Sequence, residues 1–139
     1  MGRKNARVGA MQLLYSMELN KDFSQENIEK FFENYDFSES EQSYINSVIS
    51  ELVNNLDSVD KVLSDNLQGW TIPRLAIVDR EILRVAIFEF LYRKDIPVEV
   101  SINEAVEIAK KYSSEESPKF VNGILASILK NLKDESDKS

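Results

Sequence analysis

Apolar residues in this chain recur at intervals of three and four, which places them on one side of an α-helix, and strand-like alternation is weak. The first such run covers residues 3–19, with Val8, Met11 and Tyr15 on one stripe and Ala10, Leu13, Leu14 and Met17 beside it. Ser24 suits the N-cap of a second helix that carries Ile28, Phe31, Phe32 and Tyr35. Ser38 and Glu41 have the spacing of a capping box, which opens a third helix. There Tyr44, Ile45, Val48, Ile49, Leu52, Val53 and Leu56 keep to one face. Asp57 or Ser58 then caps a shorter helix through Val59, Val62, Leu63 and Leu67, and Gly69 suits the left-handed residue that stops it.

The chain restarts at Thr71-Ile72-Pro73, where a proline is tolerated in a first helical turn. From Val78 to Arg93 runs the most apolar helix, with little polar face between Ile82 and Tyr92, so this helix is expected at the centre of the fold. Pro97 breaks the chain, and Ser101 with Glu104 reads as a second capping box for a helix ending near Tyr112. Ser117-Pro118 starts the last helix, with Phe120, Val121, Ile124, Leu125, Ile128, Leu129 and Leu132 inward. The pattern predicts an all-α fold, one compact domain of about seven helices over residues 1–133. A short, frayed, charged tail follows at 134–139.

Composition removes much chemistry. The 139 residues include no cysteine and no histidine, so thiolate metal sites, disulfides and the commonest general base are all missing. The four glycines lie far apart and form no phosphate-cradling loop, and most carboxylates fall on polar helix faces. Neither a catalytic site nor a cofactor or metal site is expected. With no signal-type apolar region and no membrane-length apolar run, the expectation is a soluble, cytoplasmic protein.

The formal net charge of -7 argues against a nucleic-acid partner until its distribution is considered. Residues 1–17 carry Arg3, Lys4 and Arg7 and no acid, whereas residues 18–65 carry twelve acids against three bases. Arg3 and Arg7 lie four apart on one helix face with Lys4 adjacent, and Gln12 and Tyr15 continue along the same helix. Guanidinium groups bind phosphates, an amide can read base edges, and an aromatic ring can stack on an unpaired base. The competing reading makes Tyr15 a core residue of a plain N-terminal helix. A second candidate is Lys119-Phe120 at the start of the last helix, where unpaired N–H groups favour anions. Phe120 could stack on a base or belong to the core. Gly123 inside the same helix is expected to allow close helix–helix approach.

The motifs are more specific than these generic features. Trp70-Thr71-Ile72-Pro73-Arg74-Leu75 followed by Val78-Asp79-Arg80-Glu81-Ile82-Leu83-Arg84 resembles the central signature of the NusB family. Ile96-Pro97, Ile102-Asn103-Glu104-Ala105-Val106-Glu107-Ile108-Ala109-Lys110 and Lys119-Phe120-Val121-Asn122-Gly123-Ile124-Leu125 resemble its remaining signatures, in order. The arginine-bearing first helix leading into Gln12-Leu13-Leu14-Tyr15 is similar too, so the resemblance extends from about Arg3 to Leu132.

The resemblance implies two small helical bundles packed at a steep angle and no enzymatic activity. It implies binding of the boxA element of nascent, including ribosomal, RNA as a heterodimer with NusE, a ribosomal small-subunit protein. That pair nucleates the other Nus factors on RNA polymerase in transcription antitermination. The implied RNA-binding residues are Arg3, Lys4, Arg7, Gln12 and Tyr15 from the first helix, Asp79 and Arg84 from the central one, and Glu116, Lys119 and Phe120 at the last turn. Two departures stand out: the N-terminal cluster is sparser than in related sequences, and Glu116 stands where aspartate is common. Two rival readings remain: a helical adaptor that binds only proteins, and the RNA-binding N-terminal domain of an RNA cytosine methyltransferase. The chain's end at Ser139, with no catalytic cysteine, weighs against the latter. Self-association into a homodimer that hides the RNA face is compatible with the leading reading.

Overall fold

Ser24 and Ser38 each stop one loop and start one helix, and the computed structural model shows how. The Ser24 side chain accepts from the backbone N–H of Asn27. The Ser38 hydroxyl accepts from Glu41 N–H while the Glu41 carboxylate accepts from Ser38 N–H, a complete capping box. The structure describes the backbone of residues 2–138 and the side chains of residues 5–134. Its elements are helices, with no strand among the described residues, and they divide into two compact units, Met1–Leu56 and Asp57–Ser139.

The first unit contains α1 (Gly2–Asn20), α2 (Gln25–Asn34) and α3 (Glu39–Asn54). α1 packs chiefly on α3. Gly9 sets their spacing, since a Cβ there would lie 2.6 Å from Ile45 Cδ1 and 2.9 Å from Phe37 Cζ. Ala6, Ala10, Leu13, Leu14 and Met17 of α1 are buried, as are Ile45, Val48, Ile49 and Leu52 of α3. Phe31 stacks on Tyr35 with ring centroids 4.6 Å apart. α1 ends on Lys21 at φ 52°, which lets Asp22 N–H reach back to Met17 O at 3.0 Å. That is the closing geometry usually given to glycine.

The second unit contains most of α4 (Leu56–Asp65), a 3-10 turn (Ile72–Arg74), α5 (Ile77–Tyr92), α6 (Val98–Tyr112) and α7 (Ser117–Lys138). α5, α6 and α7 all pack on one another. Every residue of α5 from Glu81 to Phe90 is buried, as its apolar pattern requires. Gly69 has φ +77°, the left-handed conformation expected of it.

Four local expectations change. Ser101 is not a cap: α6 begins at Val98 behind Pro97, and Ser101 is buried and donates to the Glu89 carboxylate of α5. A buried glutamate needs a donor more than an already started helix needs a second cap. α4 begins at Leu56, so Asp57 lies in its first turn. Thr71–Pro73 opens a separate three-residue turn, because Arg80 holds it by donating to the carbonyls of Pro73 and Leu75 at 3.2 and 3.1 Å. α7 continues to Lys138, so residues 134–138 extend a helix instead of forming a separate tail. No helix of the described residues is long and apolar enough to cross a membrane.

Candidate nucleic-acid interface

In the first unit the expected basic face is only partly visible. The Arg3 and Lys4 side chains lie outside the described residues. Arg7 is 5% exposed and engaged within the protein, so its guanidinium does not stand on a solvent-facing stripe. Gln12 and Tyr15 are half-buried, which leaves one edge of each accessible.

The second unit brings residues from three segments around one cleft of about 260 Å³. Trp70 and Arg74 come from the segment before α5, Asp79 from the first turn of α5, and Glu116 and Phe120 from the start of α7. Trp70 is 51% exposed, and the Arg74 guanidinium lies 5.4 Å from its ring centre. Phe120 is half-buried, with one side toward the cleft. Lys119 is exposed beside it and Glu116 is exposed in the cleft wall.

Asp79 is held rather than free. Its Oδ1 accepts from Ser113 Oγ at 2.6 Å and its Oδ2 from Ser117 Oγ at 3.0 Å. Ser117 Oγ also lies 2.8 Å from Ser114 Oγ and 2.9 Å from Ser113 Oγ. Each hydroxyl has a single proton. With two given to Asp79, Ser114 supplies the one that Ser117 accepts, and the Ser113–Ser117 contact carries none. The carboxylate thus fixes the α6–α7 turn against α5, and the turn in turn sets the positions of Glu116 and Phe120.

Arg84 has a different task from the one the resemblance implies. Its side chain is buried; Nε and Nη2 donate to the two oxygens of Asp60 at 2.9 and 2.8 Å, and Nη1 donates to Glu81 Oε1 at 3.0 Å. It ties α4 to α5 inside the second unit. Asp79, Glu116 and Phe120 do meet in the cleft, with Lys119 next to them, while Arg84 does not line it.

Sequence reading missed Trp70 and Arg74 as site residues, although both stood in the quoted signature. The available signal was a lone tryptophan with an arginine four residues on, outside every apolar stripe. The serines at 113, 114 and 117 gave no periodic signal at all. Chemically, the cleft offers two aromatic faces, one cation and one accessible carboxylate, enough to stack a base and accept from its amino group. No group of three or more metal-binding side chains occurs among the described residues.

The family model for the NusB family matches residues 4–130. The chain belongs to the NusB family. It is 44% identical over 130 residues to the transcription antitermination protein NusB of Acetivibrio thermocellus, covering 94% of this chain and 90% of that one. The NusB of Thermodesulfovibrio yellowstonii is 45% identical, over 94% of this chain and 93% of its own length. Among solved structures, Thermotoga maritima NusB superposes with a TM-score of 0.83 at 38% identity, covering 92% of this chain and 90% of that one. A crystal structure of the antitermination factors NusB and NusE with double-stranded RNA matches with a TM-score of 0.83 at 28% identity, over 94% and 97% of the two chains. The all-helical fold expected from periodicity is therefore the NusB fold.

Proposed function

We propose that this NusB-family chain is a transcription antitermination factor that binds the boxA element of nascent RNA, including ribosomal RNA, together with NusE. The pair nucleates the other Nus factors on RNA polymerase, in the cytoplasm and without catalysis. The observation that carries this reading is the cleft at Trp70, Glu116 and Phe120, on a chain similar over 94% of its length to a NusB crystallised with NusE and double-stranded RNA. An open cleft with accessible aromatic faces favours an unstacked base, hence a single strand over a duplex. Arg3, Lys4, Gln12 and Tyr15 of α1 supply further contacts, the charged pair to phosphates. Glu116 repels phosphate but accepts from a base amino group, so it selects among sequences. Asp79 positions Glu116 and Phe120 through the serines, and Arg84 acts only through the stability of its unit. The similar relatives carry the name transcription antitermination protein NusB, which favours the antitermination reading over that of a methyltransferase extension.

The test is a salt titration of binding to a short single-stranded boxA RNA and to a scrambled RNA, with and without NusE. The expected result is preference for boxA, tightening with NusE, and a log–log salt slope of roughly -2 to -3, the value for ~3–4 phosphate contacts on a single strand. Phe120→Ala should weaken binding at least about fivefold while the protein stays folded. Absence of sequence preference even with NusE would leave a protein-only adaptor. Unfolding of Phe120→Ala would return that ring to the core.

A further inference from the structure

The sequence gives Gly123 a bland explanation, close approach of a neighbouring helix, and the structure removes it. Gly123 is exposed on α7, and a Cβ built there meets nothing within 4 Å. A glycine in a helix interior is destabilising relative to alanine, so an open, uncrowded one needs another reason. Its surroundings supply one. Gly123 lines a second groove of about 330 Å³ together with Gln68, Trp70, Phe120 and Ser127. Trp70 and Phe120 line this groove and the first cleft alike, so the two cavities adjoin across the aromatic pair. Trp70 is half exposed, with the Arg74 guanidinium 5.4 Å from its ring centre, which leaves an aromatic face beside a positive charge.

Resting on the RNA-binding reading above, we propose that this groove is a second nucleotide subsite, taking the residue of single-stranded RNA next to the one seated on Phe120 in the first cleft. Trp70 stacks on the second base, Arg74 offers its charge to the phosphate between the two, and the missing side chain at Gly123 leaves room for the strand to lie against α7. Gln68 supplies an amide at the groove edge. A protein segment is a poorer occupant, because the described residues form helices and offer the groove no sheet edge for a peptide strand to extend. The cation beside the aromatic pair, by contrast, suits a phosphate between two stacked bases.

The experiment is abasic scanning of a labelled single-stranded boxA RNA in the presence of NusE, using the wild-type chain, Trp70→Ala, Phe120→Ala and Gly123→Leu. In the wild type, removing either of two adjacent bases should weaken binding at least about fivefold. Trp70→Ala should abolish the sensitivity at one of these positions, and Phe120→Ala at its neighbour. Gly123→Leu, which fills the groove, should weaken binding of the intact RNA, and Trp70→Phe should restore most of what Trp70→Ala loses. Gly123→Ala separates this from a structural role: its melting temperature should rise by roughly 3 °C. A fall in melting temperature would make the glycine structural and overturn the proposal. If Phe120→Ala weakens RNA binding while Trp70→Ala and Gly123→Leu leave it unchanged, the second subsite does not exist and the RNA-binding reading survives. Loss of NusE binding with RNA contact intact would assign the groove to protein and overturn the proposal. Absence of RNA binding by the wild type defeats both readings.

Discussion

Replacing Arg84 by methionine separates an internal tie from an RNA contact. The Arg84 side chain is 6% exposed, and its two carboxylate partners differ: Glu81 is 0% exposed and Asp60 is 25% exposed. Arg84→Met keeps much of the aliphatic volume and takes away the guanidinium that faces both acids. Breaking a buried ion pair on one side costs about 3–5 kcal/mol, because the remaining charge stays desolvated. Water can reach Asp60, so its share is small and Glu81 carries most of the loss. The expected cost is therefore about 3 kcal/mol, a large part of the ~5–15 kcal/mol that holds a domain folded. For a chain of this length the melting temperature should fall by roughly 10 °C. Arg84→Lys should fall part of the way, since an ammonium cannot engage Asp60 with two parallel N–H groups. Glu81→Gln combined with Arg84→Met should cost less than the two changes summed, the signature of a shared contact. Calorimetry or thermal circular dichroism reads the parent protein, Arg84→Met, Arg84→Lys, Glu81→Gln and the double variant, and the salt dependence of RNA binding is read alongside. An unchanged melting temperature with a shallower salt slope would refute the reasoning, because it would make Arg84 a surface phosphate contact.

Two further outcomes follow from single positions. Gly9→Ala gains ~1 kcal/mol of helix propensity but forces its methyl against Ile45 and Phe37, an overpacking worth about 1–3 kcal/mol, so the net effect should be a loss of about 1 kcal/mol. Denaturant unfolding reads the sign, and a gain would mean that α1 and α3 separate freely. Glu41 has its pKa held below the ordinary glutamate value, first by the amide of Asn5 at 2.9 Å and then by the backbone N–H of Ser38. A depressed carboxylate contributes stability that is fully present above its unfolded pKa and is lost as pH falls through its folded one. Melting temperature measured on the acid side of pH 4.5 should therefore fall less steeply in Glu41→Gln than in the parent protein. Parallel acid limbs would remove the capping box from the account of acid sensitivity.

Much of the fold was legible along the chain because its signals are local. The apolar spacing places α1 to α7 to within a few residues, Ser24 and the Ser38–Glu41 pair mark two helix starts, and the composition of α5 announces its burial. Gly69 declares its left-handed turn, and the absence of histidine and cysteine narrows the chemistry before any coordinate is known. These features depend on residues within a turn or two of each other, and the motifs that carry the family resemblance lie in such stretches.

What the chain does with its polar residues required the tertiary structure. Arg84 meets Asp60 from 24 residues away, Ser113 meets Asp79 from 34, and neither spacing is periodic. A helical pattern says which side turns inward, but not which donor will face a buried charge there. Ser101 shows the same limit: its spacing to Glu104 fits a cap, yet the buried Glu89 claims it. Gly9 and Gly123 look alike in sequence, each a glycine inside a helix, and packing alone separates them. One is crowded by Ile45 and Phe37, and the other faces open space. The cleft at Trp70, Glu116 and Phe120 exists only because the segment before α5 and the first turn of α7 are brought side by side, so its shape was decided by the fold and not by any one segment.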